Sequence, residues 1–447
     1  MRFSVDDALV VTGGELLAGE TSAMFEGAWH DSRSLQVGAL FVAIVDRRDG
    51  HDYIPDALAA GAPGYLTSMT EVHAGGFALG VADTRRALVA LGRAARKRVP
   101  ALVAVTGSAG KTTTKDFLTA VLASSCQVGT APGSHNNELG MPLTLLNSPD
   151  DADVVIAEIG ARKAGDVAWG TDLLDPTIGI VTNVGSAHLG EFGSRERIAA
   201  VKGELPRGLS ASATAVLNVE DSRVMAMANH TAAKILTFGA GGDVRAEDNV
   251  HLGGLVEEFR LVTPTGSAVV RLAASGPHIV SCALAAAAAA TVMGMEVDLI
   301  AAALSCATRS AHRMVVETAP LGWKVLNDSY NANPDSMRAA LQATVRLAGS
   351  GRVLALLGHM AELGSHSEAA HVEIGRLAQD LGVSVVVGVG DYAEVLAGSD
   401  RRVASHPSEA VSLLRQEAGG FRPGDAILVK GSRMVGLEQA IPFLLES

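Results

Sequence analysis

Along residues 1–98 the apolar positions form one short run at 39–45 and two segments of helical spacing, 54–62 and 84–98. The first helical segment ends at Gly61 or Gly64, and the second, with Leu88, Leu91 and Ala95 on one face, runs to Pro100. This predicts a small α/β unit. From 101 onward, apolar runs at 103–105, 154–157 and 178–182 alternate with helical patterns, the signature of a parallel sheet with crossover helices. Runs at 234–238, 255–262 and 268–272, separated by Gly, Asp, Asn and Pro, predict an antiparallel appendage. The alanine-rich helix near 280–293 has side chains small enough to pack closely on the sheet. A second alternation starts near Trp323, with strands at 324–326, 353–357, 383–389 and 427–429 and helices at 336–347, 366–381 and 408–418. The expected architecture is α/β in three domains: a small N-terminal α/β domain (1–98), a central parallel-sheet domain (99–312) and a C-terminal Rossmann-like domain (313–447).

Composition narrows the class. A chain of 447 residues suggests about three domains, and 48% hydrophobic against 19% charged residues describes a globular protein. The formal charge of −12 argues against a nucleic-acid binder but leaves room for a local anion site. Cys126, Cys282 and Cys306 match no zinc or redox spacing and read as reduced thiols. The N-terminus meets Asp6 and Asp7 too soon for a signal peptide, and the alanine-rich run is too short to span a bilayer. A cytoplasmic protein without membrane insertion is expected.

The chemistry concentrates where the strand at 103–105 meets a helical pattern: Thr106, Gly107, Ser108, Ala109, Gly110, Lys111, Thr112, Thr113. Two glycines let backbone N–H groups turn towards a polyphosphate, the lysine reaches its outer phosphates, and a hydroxyl can hold magnesium. The strict P-loop pattern is not met, since Val105 stands where it has its first glycine; a turn capped by threonines is the plain alternative. The neighbouring runs end at Glu158 and before Asn183 and His188, and parallel sheets bind ligands outside that edge. Thr112 and Glu158 suit magnesium, whereas His188 is a less usual ligand for it and reads equally as structural. Lys202 lies on a helical segment opened by Ser194 and by spacing is only a surface lysine. Asp31, Ser32 and Arg33 read as a turn or, through Ser32 and Arg33, as an anion site. Asn327 to Pro334 reads as a loop capping a helix or as groups for a ribose or adenine edge. Gly388 and Gly390 lack the third glycine of a dinucleotide fingerprint.

In this order the motifs resemble the Mur ligases, the ATP-dependent amide-forming enzymes of peptidoglycan precursor synthesis. They are Asp31-Ser32-Arg33, Asp49-Gly50-His51, the cradle, Asn136-Asn137-Glu138-Leu139-Gly140, Thr182-Asn183-Val184-Gly185, Lys202-Gly203-Glu204, Tyr330-Asn331-Ala332-Asn333-Pro334, Glu362-Leu363-Gly364 and Lys430-Gly431-Ser432-Arg433. The Tyr-Asn-Ala-Asn-Pro run is similar to that of the member that adds D-alanyl-D-alanine. The resemblance covers all three domains and makes the first a UDP-sugar-binding domain, the second a P-loop-type ATPase domain and the third the ligase domain. It implies an acyl-phosphate reaction joining D-alanyl-D-alanine to UDP-N-acetylmuramoyl-tripeptide, in a monomer.

Carried over by motif, the resemblance implies ATP and Mg2+ as cofactors. Lys111 would contact the β- and γ-phosphates, within a cradle of Gly107, Ser108, Ala109, Gly110, Thr112 and Thr113. Thr112 and Glu158 would hold one magnesium and His188 a second, with Lys202 carbamylated by CO2 as a further ligand. Asn137 would lie near the phosphates, Arg313 would reach ATP from the hinge, Asp328 would anchor the nucleotide, and Asn331 and Asn333 would line the adenine. Ser32 and Arg33 would meet the UDP-sugar. The chain departs from the family at Ile279 and Cys282, where asparagines are usual near the adenine, at His359, where aspartate is common, and at Asp46. A Mur-type ligase adding a different amino acid, a folylpolyglutamate synthetase-like enzyme and a non-catalytic ATP-binding homologue are the rival readings.

Overall fold

Three larger sheets carry the chain in a computed structural model that describes residues 1–447 apart from 132, 188, 254, 274, 275, 309, 399–401 and 447. In the first, five strands lie in the order Glu15–Ala18, Phe77–Gly80, Gly64–Thr67, Leu40–Val42 and Ala28–Trp29. All pair in parallel except Glu15–Ala18, which runs antiparallel to its neighbour. The anticipated helices take shape as Ile54–Ala59 and Thr84–Arg96, the latter capped by the Asp83 carboxylate on the N–H groups of Arg85 and Arg86. The chain's first residues are anchored on the second domain. The Met1 ammonium donates to the carbonyls of Leu146 and Ser148, and Phe3 and Phe25 share one core with Leu145 and Leu146.

The second sheet has six parallel strands in the order Lys234–Phe238, Thr214–Asn218, Ile178–Val181, Ala101–Thr106, Val154–Glu158 and Val128–Thr130. Register decides what this sheet presents. Glu158 pairs with Val105 and Val181 with Thr106, so three chain segments distant in sequence leave the sheet side by side. The run at 234–238, expected in the antiparallel appendage, instead extends this sheet in parallel beside Thr214–Asn218. Alternation cannot separate the two outcomes, because a half-exposed edge strand and a meander strand share the same period. The appendage itself is three antiparallel strands, Arg245–Gly253, Val256–Thr263 and Gly266–Leu272.

The alanine-rich helix spans Pro277–Val292, and every side chain from Cys282 to Ala290 is buried. Its small residues let it lie closely against the helix Lys111–Leu122, which begins at the cradle. Among the described residues no helix is long and apolar enough to cross a membrane. The third sheet orders Val315–Thr318, Lys324–Asn327, Ala426–Lys430, Val353–Gly358, Val385–Val389 and Val403–Ala404, with only the first pairing antiparallel. Asn327 pairs with Val429 and Leu357 with Lys430, which brings Asp328, Lys430 and Gly358 to one edge.

The close helix pair makes a stability prediction. Ala286 is fully buried, so Ala286→Leu must force backbones apart and should cost about 1–3 kcal/mol. A lowered denaturant midpoint at unchanged m-value is the expected result; an unchanged midpoint would show that the helix has room.

Candidate functional site

The cradle is built from backbone. Gly107 and Gly110 adopt φ of 144° and 81°, and a Cβ on Gly107 would stand 1.9 Å from Thr182 Oγ1. The loop is held from the next strand: Asn183 Oδ1 accepts from the Ala109 N–H at 3.0 Å, Asn183 Nδ2 donates to the Ala109 carbonyl at 3.1 Å, and Thr182 Oγ1 donates to that carbonyl at 2.6 Å. The helix opens at Lys111, so the N–H groups of Lys111, Thr112 and Thr113 head it with no partner in the preceding turn. An anion is stabilised at such an end by both the free donors and the helix dipole.

Behind the cradle, charge is buried. Lys111 donates to the Gly107 carbonyl at 2.7 Å; burial pushes its pKa down and nearby Arg313 adds to this, while Glu158 opposes it. Lys202 is only 2% exposed, and burial together with the positive charge of Lys111 brings its pKa down to about 7, against the partial support of Glu204 and Asp166. Lys115, one helical turn beyond Lys111, donates to the carbonyls of Ala131 and Gly133 at 2.8 and 2.7 Å and lies 3.9 Å from Glu158. Both Glu158 carboxylate oxygens are buried without a hydrogen-bond partner. A carboxylate without a hydrogen-bond partner at the end of the strand next to the cradle, with the Thr112 hydroxyl that follows Lys111, is a hard oxygen donor set that fits magnesium, which takes few protein ligands and keeps waters and phosphates for the rest. Among the described residues no group of three or more His, Cys, Asp or Glu gathers as a metal cage.

The third sheet supplies the opposite wall. Arg313 Nη2 donates to Ser134 Oγ at 3.0 Å, and the Ser134 and Thr112 hydroxyls lie 2.8 Å apart. Asp328 accepts from the Met314 N–H at 3.1 Å with one oxygen and from the buried Lys430 ammonium with the other. Asn331 is exposed and its carbonyl also accepts from Lys430, at 2.8 Å. Asn333 is the N-cap of the helix Pro334–Ala348, its Oδ1 accepting from the Ser336 N–H. Asp335, in the first turn of that helix, binds the Ser186 N–H and hydroxyl at 3.0 and 2.9 Å, joining the third sheet's body to the second. His188 lies outside the described residues.

Other expected residues are placed differently. Asn137 is exposed and its Oδ1 accepts from the Leu139 and Gly140 N–H groups, which fixes the start of the helix Gly140–Leu146. Ser32 and Arg33 form a short 3-10 turn on the first sheet's body; Arg33 forks onto Asp31, which its hydrogen bonds hold at a pKa of about 2. They do not join the cradle cluster. Trp29 of that body does approach it, edge-on to His135 at 6.0 Å between ring centroids. Ile279 and Cys282 are buried, and the Cys282 thiol, pushed up to about 11 by burial, lies against the Gly110 carbonyl. The His359 carbonyl accepts from the Ser432 N–H at 2.9 Å. Sequence reasoning gave no role to Ser134, Lys115, Asn183, Asp335 or Tyr330. Asn183 and Tyr330 stood in the family motifs, Asn183 just past an apolar run, and Lys115 lay four residues from Lys111; Ser134 and Asp335 carried no local signal.

A parallel sheet whose edge offers a phosphate cradle, faced across a seam by a second doubly wound domain, defines a nucleotide-dependent enzyme of the P-loop type. The chain matches the Mur ligase middle domain over residues 105–290 and the Mur ligase, glutamate ligase domain over 312–433. It is 42% identical to the UDP-N-acetylmuramoyl-tripeptide--D-alanyl-D-alanine ligase of Mycobacterium bovis, across 91% of this chain and 89% of the relative. Its fold is similar to a crystal structure of MurF from Acinetobacter baumannii, with a TM-score of 0.88 and 29% identity across 100% of this chain and 99% of that one. A MurF ligase from Thermotoga maritima in complex with ADP is also similar, with a TM-score of 0.81 and 27% identity across 94% and 97% of the two chains. The chain belongs to the Mur ligase family.

The cradle's tolerance is testable. Gly107→Ala drives a methyl group into Thr182 and the loop must move, so affinity for magnesium ADP should fall about tenfold or more while the circular dichroism spectrum is kept. Unaltered affinity by calorimetry would remove the loop's backbone from nucleotide binding.

Proposed function

We propose that this protein is an ATP-dependent, ADP-forming ligase that joins D-alanyl-D-alanine to UDP-N-acetylmuramoyl-tripeptide. The observation that carries this reading is the positive charge gathered at the mouth of a phosphate cradle, where Lys111 feels Arg313, the buried Lys202 feels Lys111, and the Glu158 carboxylate has no hydrogen-bond partner. The activity of the Mycobacterium bovis relative names the substrates. Residues 1–98 serve the UDP-sugar, through Ser32 and Arg33 among others, 99–312 bind ATP, and 313–447 close over it. The enzyme works as a monomer in the cytoplasm.

The reaction needs a poor electrophile, a carboxylate, to accept an amine. A tripeptide carboxylate oxygen attacks the γ-phosphorus and ADP leaves; the dipeptide amine then attacks the acyl carbon, phosphate leaves and the amine loses a proton. Phosphoryl transfer is mostly positioning and charge neutralisation. Lys111 holds the outer phosphates, the N–H groups of Lys111 to Thr113 hold the inner ones, and Arg313 meets them from the far side of the seam. Asp328 orients the nucleotide with Lys430 at its back, while Asn331 and Asn333 stand on the adenine side and Asn137 near the phosphates. Thr112 and Glu158 would hold magnesium, which when bound neutralises phosphate charge. His188 is assigned to a second ion.

Lys202 is the carbamate site in this reading. An amine with a pKa of about 7 is substantially neutral at physiological pH, and its lone pair can attack CO2, losing a proton to give a carbamate. The sign of the linkage is definite. The folded pKa lies below the ordinary 10.5, so the unfolded chain binds the extra proton between about 7 and 10.5; the burial penalty is full below about 7 and vanishes above 10.5.

These roles can be checked separately. Purified protein given ATP, magnesium, UDP-N-acetylmuramoyl-tripeptide and D-alanyl-D-alanine should release phosphate only when both of the latter are present; release that needs neither ends the ligase reading. In CO2-depleted buffer, activation by CO2 restored to the same dissolved concentration at each pH should follow the neutral amine and be about tenfold slower at pH 6 than at pH 8. Lys202→Ala should be inactive and partly rescued by short carboxylates, and a fully active variant would remove the carbamate.

A further inference from the structure

Arg313 is held by more than its own backbone. Its Cζ lies 4.0 Å from the centroid of the Tyr330 ring, well inside cation–π range, and Arg433 lies 5.6 Å from the same ring, tied to Glu438 at 3.3 Å. On the other side of the seam its Nη2 reaches Ser134 Oγ at 3.0 Å, and Ser134 in turn meets Thr112 Oγ1 at 2.8 Å. Lys115 fixes the backbone next to Ser134 through the Gly133 carbonyl. The residues on either side of Arg313 are both left-handed, His312 with φ of 62° and Met314 with φ of 55°. Two non-glycine residues in that region store strain, and tertiary contacts must hold them there. Two hydrogen bonds do so: the Tyr330 N–H donates to the His312 carbonyl at 3.1 Å and the Met314 N–H donates to Asp328.

We propose that Tyr330 and Ser134 are positioning residues for Arg313, the ring of one and the hydroxyl of the other holding the guanidinium across the domain seam beside the cradle. A planar guanidinium suits both contacts at once, stacking on a ring by its face while its edge donates to a hydroxyl. Ser134 also ties the two walls of the site together. Its oxygen accepts from Arg313 and lies within hydrogen-bond distance of the Thr112 hydroxyl. The proposal rests on Arg313 facing ATP in the proposed ligase reaction.

The test is a pair of double-mutant cycles read as affinity for magnesium ADP by calorimetry and as KM for ATP against KM for the UDP-tripeptide. Arg313→Ala and Tyr330→Leu should each weaken ADP binding about tenfold, and Tyr330→Phe, which keeps the ring face, should recover most of that loss. In the Arg313→Ala background, Tyr330→Leu and Ser134→Ala should each change affinity by less than about twofold, because they act through a group that is gone. Only KM for ATP should move among the KM values. Additive losses, a Tyr330→Phe protein as weak as Tyr330→Leu, or an equal rise in KM for the UDP-tripeptide would overturn the proposal. Ser134→Ala removes one hydroxyl and carries its own cycle should Tyr330→Leu fail to fold. A wild-type protein that binds magnesium ADP but never ligates strikes the functional reading and leaves the binding cycles to decide this one.

Discussion

A single buried carboxylate, Glu158, faces more positive charge than it can balance. Taking a lysine out of water costs several kcal/mol, and one ion pair near 4 Å returns about 4 kcal/mol at the effective dielectric of a protein. Lys115 stands 3.9 Å from Glu158 and 3.8 Å from Asp116, and the half-buried Lys111 adds its charge to the burial of Lys202. Glu204 and Asp166 offset only part of that burden on Lys202. The depressed pKa of Lys202 is the visible remainder, on the order of 5 kcal/mol for a group brought from 10.5 to about 7. Two remedies restore the balance: a polyanion at the cradle for Lys111, and conversion of Lys202 to an anionic carbamate. Both belong to the proposed reaction.

The rest of the architecture serves that gathering. Parallel register brings Glu158, the cradle and the chain after Val181 to one edge, and short parallel strands joined by crossovers are the arrangement that does so repeatedly. The loop's glycines are set by contact, since Thr182 occupies the space a Cβ on Gly107 would take. The helix that carries Lys111 is braced by the alanine-rich helix, whose lack of bulk lets Cys282 touch the Gly110 carbonyl. At the seam, a Cβ on Gly185 would stand 2.5 Å from an Asp335 carboxylate oxygen, so the Ser186–Asp335 contact depends on its absence.

What could be read from the chain was what is local. Gly107, Gly110 and Lys111 carry their chemistry in consecutive positions, and Glu158 is marked by ending an apolar run. Lys202 was not marked at all: its helix has little periodicity, and its burial arises from packing that spacing does not encode. It was reached only through the family resemblance. The same limit hid Ser134 and the partner of Asn183, because their contacts span 179 and 74 residues of the chain. It also misassigned the run at 234–238, because an edge strand's partner is a matter of topology. At Asn333 the plain reading of the loop is the one on view, its side chain capping the helix Pro334–Ala348.

The seam itself responds to charge. Arg313 is close enough to Lys111 to disfavour the charge of its ammonium. A triphosphate reverses the sign, since each cation then faces negative oxygens and the water between them is displaced. The strained residues beside Arg313 work in the same direction: His312 and Met314 hold their left-handed conformation only while Tyr330 and Asp328 grip them, and Asp328 is itself pinned by Lys430. In the proposed reaction the nucleotide's own charge would therefore hold Arg313 of the third domain against the cradle of the second.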